Sequence, residues 1–156
     1  MPPDLPPPRH AELVHEQTCF ACSGGSDLRN RFTYDPEQRT AHGDTVFGPG
    51  CQGAPGLAHG GAVFTILDEV MGTACWLSGL PVMTGRATIH YKQPVPLNVP
   101  IRSLGRIVSI DGKKVHVHGE LYGPDGLCAF AEGLFIRIDG RYHWPVRFGK
   151  VGHEGE

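Results

Sequence analysis

No stretch of this chain reaches the eighteen or so uninterrupted apolar residues that a bilayer crossing requires, so a membrane span is not expected. The N-terminus carries prolines, with neither a basic region nor an apolar one, so no secretory leader is expected there. A dominant charge sign is also missing: 14 Lys and Arg stand against 16 Asp and Glu, a formal net charge of −2. Nucleic acid is therefore not an expected partner, although a local basic patch for a phosphate-bearing ligand remains compatible with that balance. Cysteine is scarce. Five residues, an odd number at scattered spacing, do not make a disulfide framework, and free thiols in a reducing cytoplasm are the expectation. Cys19 and Cys22 form a C-x-x-C, but no second pair and no spaced histidines complete a zinc set. A redox C-x-x-C should open a helix, and here a Ser-Gly-Gly-Ser run follows. Neither a metal nor an organic cofactor is expected.

Glycine and proline are plentiful, 22 and 14 residues, and they punctuate the chain. Residues 1–17 read as a proline-rich arm with a short helix over 11–17. Two strands are expected at 28–34 and 40–47, around a turn at Asp35-Pro36. A Gly/Pro-rich loop over 48–58 then leads into His59-Gly60-Gly61. Apolar residues at helical spacing predict a helix over 62–77, stopped by Ser78-Gly79-Leu80-Pro81. The second half reads as strands at 84–92, 101–110, 114–122 and 127–138, with turns at Asp111-Gly112 and Pro124-Asp125-Gly126. In 114–122, Val115, Val117, Gly119 and Leu121 alternate with His116, His118 and Glu120, so one face is buried. One long helix and a run of antiparallel strands make an α+β domain whose sheet covers the helix. Residues 141–156 read as a loose tail.

The chemically informative segment is His59-Gly60-Gly61 with Asp68 nine positions after the histidine. A helix start presents unpaired N–H groups and the positive end of the dipole, a place to hold developing negative charge. Gly60 leaves its amide open to close approach. The plainer reading, a tight turn before a helix, weighs about equally until Asp68 is considered. Asp68 lies among Ile66, Leu67, Val70 and Met71, where burial would raise its basicity. Glu69 is the alternative carboxylate, and a solvated or ion-paired helix acid is the plainer reading of Asp68. The stripe Thr65, Asp68, Gly72, Cys75 leaves room at Gly72 for an acyl chain or a partner backbone. Thr84 carries a hydroxyl able to orient water, or is a strand residue chosen for β-propensity. His59 lacks a Ser or Cys nucleophile in a recognisable elbow, so it shapes the loop or touches substrate. A phosphate-bearing ligand would need cations: Lys113 and Lys114 are candidates, with Lys92 and Arg106 behind them. His116 and His118 share a strand face without an evident third ligand.

The run Gly53 to Ala62 with Asp68 resembles the hotdog-fold acyl-CoA thioesterases, in particular the phenylacetyl-CoA type and the mammalian long-chain acyl-CoA thioesterases. Val82-Met83-Thr84, Ile89 to Leu97 with its Tyr-Lys-x-Pro, and Ala131 to Phe135 match that branch too, so the likeness spans roughly residues 19–138. The resemblance implies a hotdog domain over 18–140, with a long central helix wrapped by a curved antiparallel sheet of five to six strands. It also implies a homodimer or dimer of dimers with active sites at the interface. Gly60 N–H would polarise the thioester carbonyl, with Gly61 beside it. The acid at Asp68, from the other protomer, would be general base or nucleophile, and Thr84 would position water or the carboxylate. Relatives carry Asn or Gln six residues before the histidine; here Gly53 stands there, with Gln52 adjacent, so either Gln52 serves or that contact is absent. Acyl-CoA hydrolysis is thus the leading expectation. A hotdog dehydratase or hydratase, and a non-catalytic acyl-thioester-binding protein, are the alternatives.

Overall fold

The structure is a computed structural model that describes residues 19–21 and 27–138. The expected arm, the short helix over 11–17, Cys22 and the tail over 141–156 lie outside the described residues. The chain runs β1 (Leu28–Asp35), β2 (Thr40–Phe47), a 3-10 turn (Pro49–Cys51), α1 (Gly60–Leu77), β3 (Val82–Tyr91), β4 (Pro100–Asp111), β5 (Lys114–Gly123) and β6 (Gly126–Arg137). All six strands form one antiparallel sheet in the order β1-β2-β4-β5-β6-β3. β3 follows the helix yet lies at the far edge, because the β2–α1–β3 connection carries the chain across the sheet.

Local chemistry accounts for the boundaries. β1 turns into β2 where Asp35 Oδ1 accepts from Glu37 N and Gln38 N, at 2.9 and 3.1 Å. β4 meets β5 through Gly112 and β5 meets β6 through Gly126, both at positive φ (57° and 105°), which glycine adopts without strain. The helix ends in a Schellman arrangement: Leu80 N bonds Cys75 O and Gly79 N bonds Trp76 O, with Gly79 at φ 85°. Its C-cap Ser78 also meets the Tyr34 hydroxyl of β1 at 2.8 Å.

The core is the contact of α1 with the concave face. Val63, Ile66, Leu67, Val70, Met71 and Ala74 recur at three- and four-residue spacing and are all buried. They face Ala41, Phe47, Ile101, Val115, Val117, Leu121 and Ala131 from the sheet. The helix sits unusually close to the middle strands. A Cβ on Gly105 would come within 2.4 Å of Val70 O, and one on Gly119 within 3.0 Å of the Met71 side chain. Gly105 pairs with Gly119, and Gly119 with Ala131, so a row of small residues forms the floor on which α1 rests.

Candidate active site

His59 caps the helix. Its backbone is extended, and its Nδ1 accepts from Gly61 N at 2.8 Å. This cap lets the helix begin at Gly60, two residues before the apolar pattern announces it. Ala62 N and Val63 N both donate to His59 O, at 2.9 and 3.1 Å. Gly61, Ala62 and Val63 are therefore engaged, and Gly60 N–H remains the first-turn donor without an acceptor among the described residues. The Nδ1 contact also sets the tautomer: an imidazole that accepts at Nδ1 is neutral and carries its proton on Nε2.

The loop before the cap is rigidly tied. His59 N donates to Cys51 O at 2.7 Å, Ala58 N to Val95 O at 2.8 Å and Gly53 N to Leu57 O at 2.9 Å. Gln52 Oε1 accepts from Gly56 N at 3.0 Å, so this side chain braces the loop and does not line the cleft. Position 53 is glycine for a steric reason: a Cβ there would lie 2.9 Å from His59 Cα. An amide side chain at that position has no room. Neither Gly53, which has no side chain, nor Gln52, bonded to Gly56 N, presents an amide group to the cleft of its own chain.

Beside the cap opens a cleft of about 600 Å³, lined by Gly53, Ala54, Leu57 to Gly60 and Val63 on one side and Tyr91 to Val95 on the other. Lys92 lies on this lining, its Nζ 5.6 Å from the centre of the Phe130 ring, a cation–π arrangement that holds the charge at the rim. Tyr91 was not singled out from the sequence. Its hydroxyl donates to Gly60 O at 2.7 Å. The signal in the sequence is the Tyr-Lys-x-Pro run, of which Tyr91 is the first residue.

Asp68 is half-buried on α1, and its Oδ1 accepts from Thr84 Oγ1 of β3 at 2.7 Å. Burial pushes its carboxyl above the ordinary carboxylate range, and the Thr84 hydrogen bond opposes part of that rise. The acid is thereby more basic than a solvated aspartate. It is not in the cleft. Eight residues of helix separate it from Gly60, about 12 Å along the axis, so within one chain the amide and the acid cannot address the same carbon.

The remaining candidates divide in the same way. Lys114 pairs with Ile136, which pairs with Met83 at the opposite end of β3 from Tyr91. That places Lys113 and Lys114 about 26 Å along the sheet from the cleft of their own chain. Arg106 lies on β4 in register with His118 and faces the Glu120 carboxylate, away from the cleft. His118 Nε2 meets Glu120 Oε1 at 3.0 Å, and among the described residues no group of three or more His, Cys, Asp or Glu is placed to hold a metal. The bulky apolar residues Phe64, Trp76 and Met83 do not line the cleft. Burial pushes the Cys75 thiol up to about 12 and raises Cys51 and Cys128 in the same direction, so these cysteines are packing groups. Among the described residues no helix is long and apolar enough to cross a membrane.

Comparison with known proteins agrees with this geometry. The thioesterase superfamily model matches residues 55–129, from the loop before the cap into β6. The acyl-coenzyme A thioesterases THEM4 of Bos taurus and Mus musculus are 35% and 37% identical, over 59% and 56% of this chain. The matched stretch spans only 38% and 39% of those relatives. A crystal structure of a thioesterase superfamily protein superimposes with a TM-score of 0.65 at 31% identity, covering 69% of this chain and 53% of that one. A Streptococcus pneumoniae thioesterase solved with coenzyme A gives 0.69 at 17% identity, over 76% and 92%, a likeness of fold. One helix on a six-stranded antiparallel sheet is the hotdog fold of these thioesterase structures, and the segment that the thioesterase superfamily model matches lies at its centre.

Proposed function

We propose that the chain hydrolyses an acyl-CoA thioester at a site completed by a second copy of itself. The observation that carries this reading is the division of the chemistry: an unpaired Gly60 N–H at one end of α1 and a basic Asp68 eight residues along. Pairing two copies antiparallel along the exposed β3 edges would set Thr84 of one opposite Tyr91 of the other. The Asp68–Thr84 pair of one copy then faces the cleft of its neighbour. The same symmetry carries the distant Lys113 and Lys114 toward the neighbour's cleft, where coenzyme A phosphates need cations.

In that site the thioester carbonyl accepts from Gly60 N–H, whose partial positive charge stabilises the oxyanion as it develops. Asp68 takes a proton from water as the water attacks; the C–S bond then breaks, and the coenzyme A thiolate leaves with that proton as the free thiol. If Asp68 attacks the carbonyl carbon itself, the thiolate leaves to give an acyl-aspartyl anhydride, which water hydrolyses to the free acid and the regenerated carboxylate. Thr84 spends its one proton on the carboxylate, so its oxygen lone pairs are left to receive the water. A hydratase would need a histidine base. His59 has its Nδ1 lone pair occupied by Gly61 N–H and a proton on Nε2, which favours hydrolysis over hydration. The kinship to named acyl-CoA thioesterases supports the substrate class.

The test is thiol release from one short, one long and one aromatic acyl-CoA, with sedimentation run alongside. Hydrolysis by a dimer or larger assembly, abolished in Asp68→Asn, is the expected result. Release untouched by Asp68→Asn would remove the acid from the mechanism. Binding of acyl-CoA without release on any substrate would instead identify a binding module.

A further inference from the structure

We infer that Tyr91 is a positioning residue for the Gly60 amide, an inference that rests on the proposed hydrolysis. Gly60 and Gly61 form the least restrained point of the helix, since neither carries a side chain to limit its backbone. That freedom suits substrate approach and works against a fixed donor. Ala62 N and Val63 N hold the donor's own peptide through His59 O, and the Tyr91 hydroxyl adds the restraint on the carbonyl side of Gly60. It donates to Gly60 O at 2.7 Å and lies 3.3 Å from the point a Gly60 Cβ would occupy. The tyrosine thus stands nearly where a side chain would stand while leaving the N–H of Gly60 uncovered.

The contact continues through the next peptide group. The carbonyl that receives Tyr91 belongs to the Gly60–Gly61 peptide, and the N–H of that same peptide donates to His59 Nδ1 at 2.8 Å. Tyrosine hydroxyl, peptide and imidazole form one directional series of hydrogen bonds, each polarising the next. Both ends of the peptide following the oxyanion donor are held, which limits rotation about the Gly60 φ and ψ that join it to the His59–Gly60 peptide carrying the donor N–H. Tyr91 is itself exposed on the cleft lining, so this bond is not a by-product of core packing.

Tyr91→Phe keeps the ring and removes only the donor. If positioning is its role, kcat falls about tenfold while KM for acyl-CoA moves less than about threefold, because the loss is felt chiefly in the transition state. The Gly61 amide proton moves upfield in NMR spectra as its bond to His59 weakens, and circular dichroism stays unchanged. A kcat within twofold of wild type overturns the inference, as does equal loss of kcat and cooperative folding. If wild type itself releases no thiol from any acyl-CoA, the proposed hydrolysis fails on its own. The Gly61 resonance then decides the Tyr91 contact separately, and an unmoved resonance overturns it.

Discussion

Thr84 Oγ1 donates to Asp68 Oδ1 at 2.7 Å, joining the edge strand β3 to the middle of α1. This bond favours the carboxylate, while burial disfavours it and is the larger influence. Two variants separate these effects. Asp68→Asn keeps the shape and removes the base, and kcat is expected to fall by about 10²–10⁴, the range for loss of a general base. Thr84→Val removes the hydrogen bond that lowers the Asp68 pKa, so the acidic limb of kcat/KM should move to higher pH. Rate–pH profiles for both variants give the check; an acidic limb shifted downward by Thr84→Val contradicts the arrangement.

The same acid has a consequence for stability, with a definite sign. Its folded pKa lies above the ordinary carboxylate value of about 3.9, so the folded state holds this proton more tightly than the unfolded state does. The contribution is fully present below the unfolded pKa and is lost as pH rises through the folded one. At neutral pH the ionised Asp68 therefore costs stability, and Asp68→Asn should unfold at a higher denaturant concentration than wild type. Glu120 acts oppositely. The Tyr122 hydroxyl, then His118 and Arg106, hold its carboxyl below the ordinary range, so its contribution is lost on acidification. Urea titrations of wild type and Asp68→Asn from pH 4 to 7 cancel the Glu120 effect, and the difference should widen as pH rises.

Gly60 offers a test in which activity and stability part company. Alanine is a better helix former than glycine by about 1 kcal/mol in a helix interior, and the position lacks a positive φ that would forbid it. A Cβ, however, would come within 3.3 Å of the Tyr91 oxygen and stand at the cleft lining. Gly60→Ala should keep or raise the melting temperature and lower kcat/KM about tenfold. That is less than the 10²–10³ of an oxyanion donor lost outright, because the amide itself survives. Thermal melts and initial rates on one preparation decide it; unchanged rates would detach Gly60 from the chemistry.

Much of this was visible in the residues before any coordinates. Periodicity placed all six strands within about two residues, since Val115, Val117 and Leu121 alternate as a half-buried strand must. The helix start was displaced because two glycines carry no apolar signal, and His59 as a cap is legible only once its ring is seen against Gly61 N. Asp68 was found by spacing. Tyr91 was passed over because its function lies in a contact 31 residues away in sequence, between an edge strand and a helix mouth. For Lys113 and Lys114 the sequence shows charge without showing which end of a sheet their hairpin occupies, so their distance from the cleft of their own chain was not legible. The resemblance implies a donor and an acid from two protomers; the coordinates add the distance, about 12 Å of helix, that one chain cannot bridge.

The glycine at position 53 is a clear case of local packing dictating a residue. Asparagine there would place its Cβ 2.9 Å from His59 Cα, a backbone atom that cannot swing aside. The surrounding loop cannot yield easily, because Gly53 N, Ala58 N and His59 N are all bonded to backbone carbonyls. Gly53→Asn should therefore destabilise the fold by about 1–3 kcal/mol, the usual cost of overpacking, and displace the cap that presents Gly60 N–H. Its kcat should fall, even though it introduces an amide beside the proposed carbonyl site. Gln52→Ala removes only the brace on Gly56 N and should cost about 1 kcal/mol, as a single hydrogen bond does, with catalysis nearly unchanged. Denaturant midpoints and thiol-release rates for the two variants provide the check. A faster Gly53→Asn enzyme would mean that the loop has room for an amide after all.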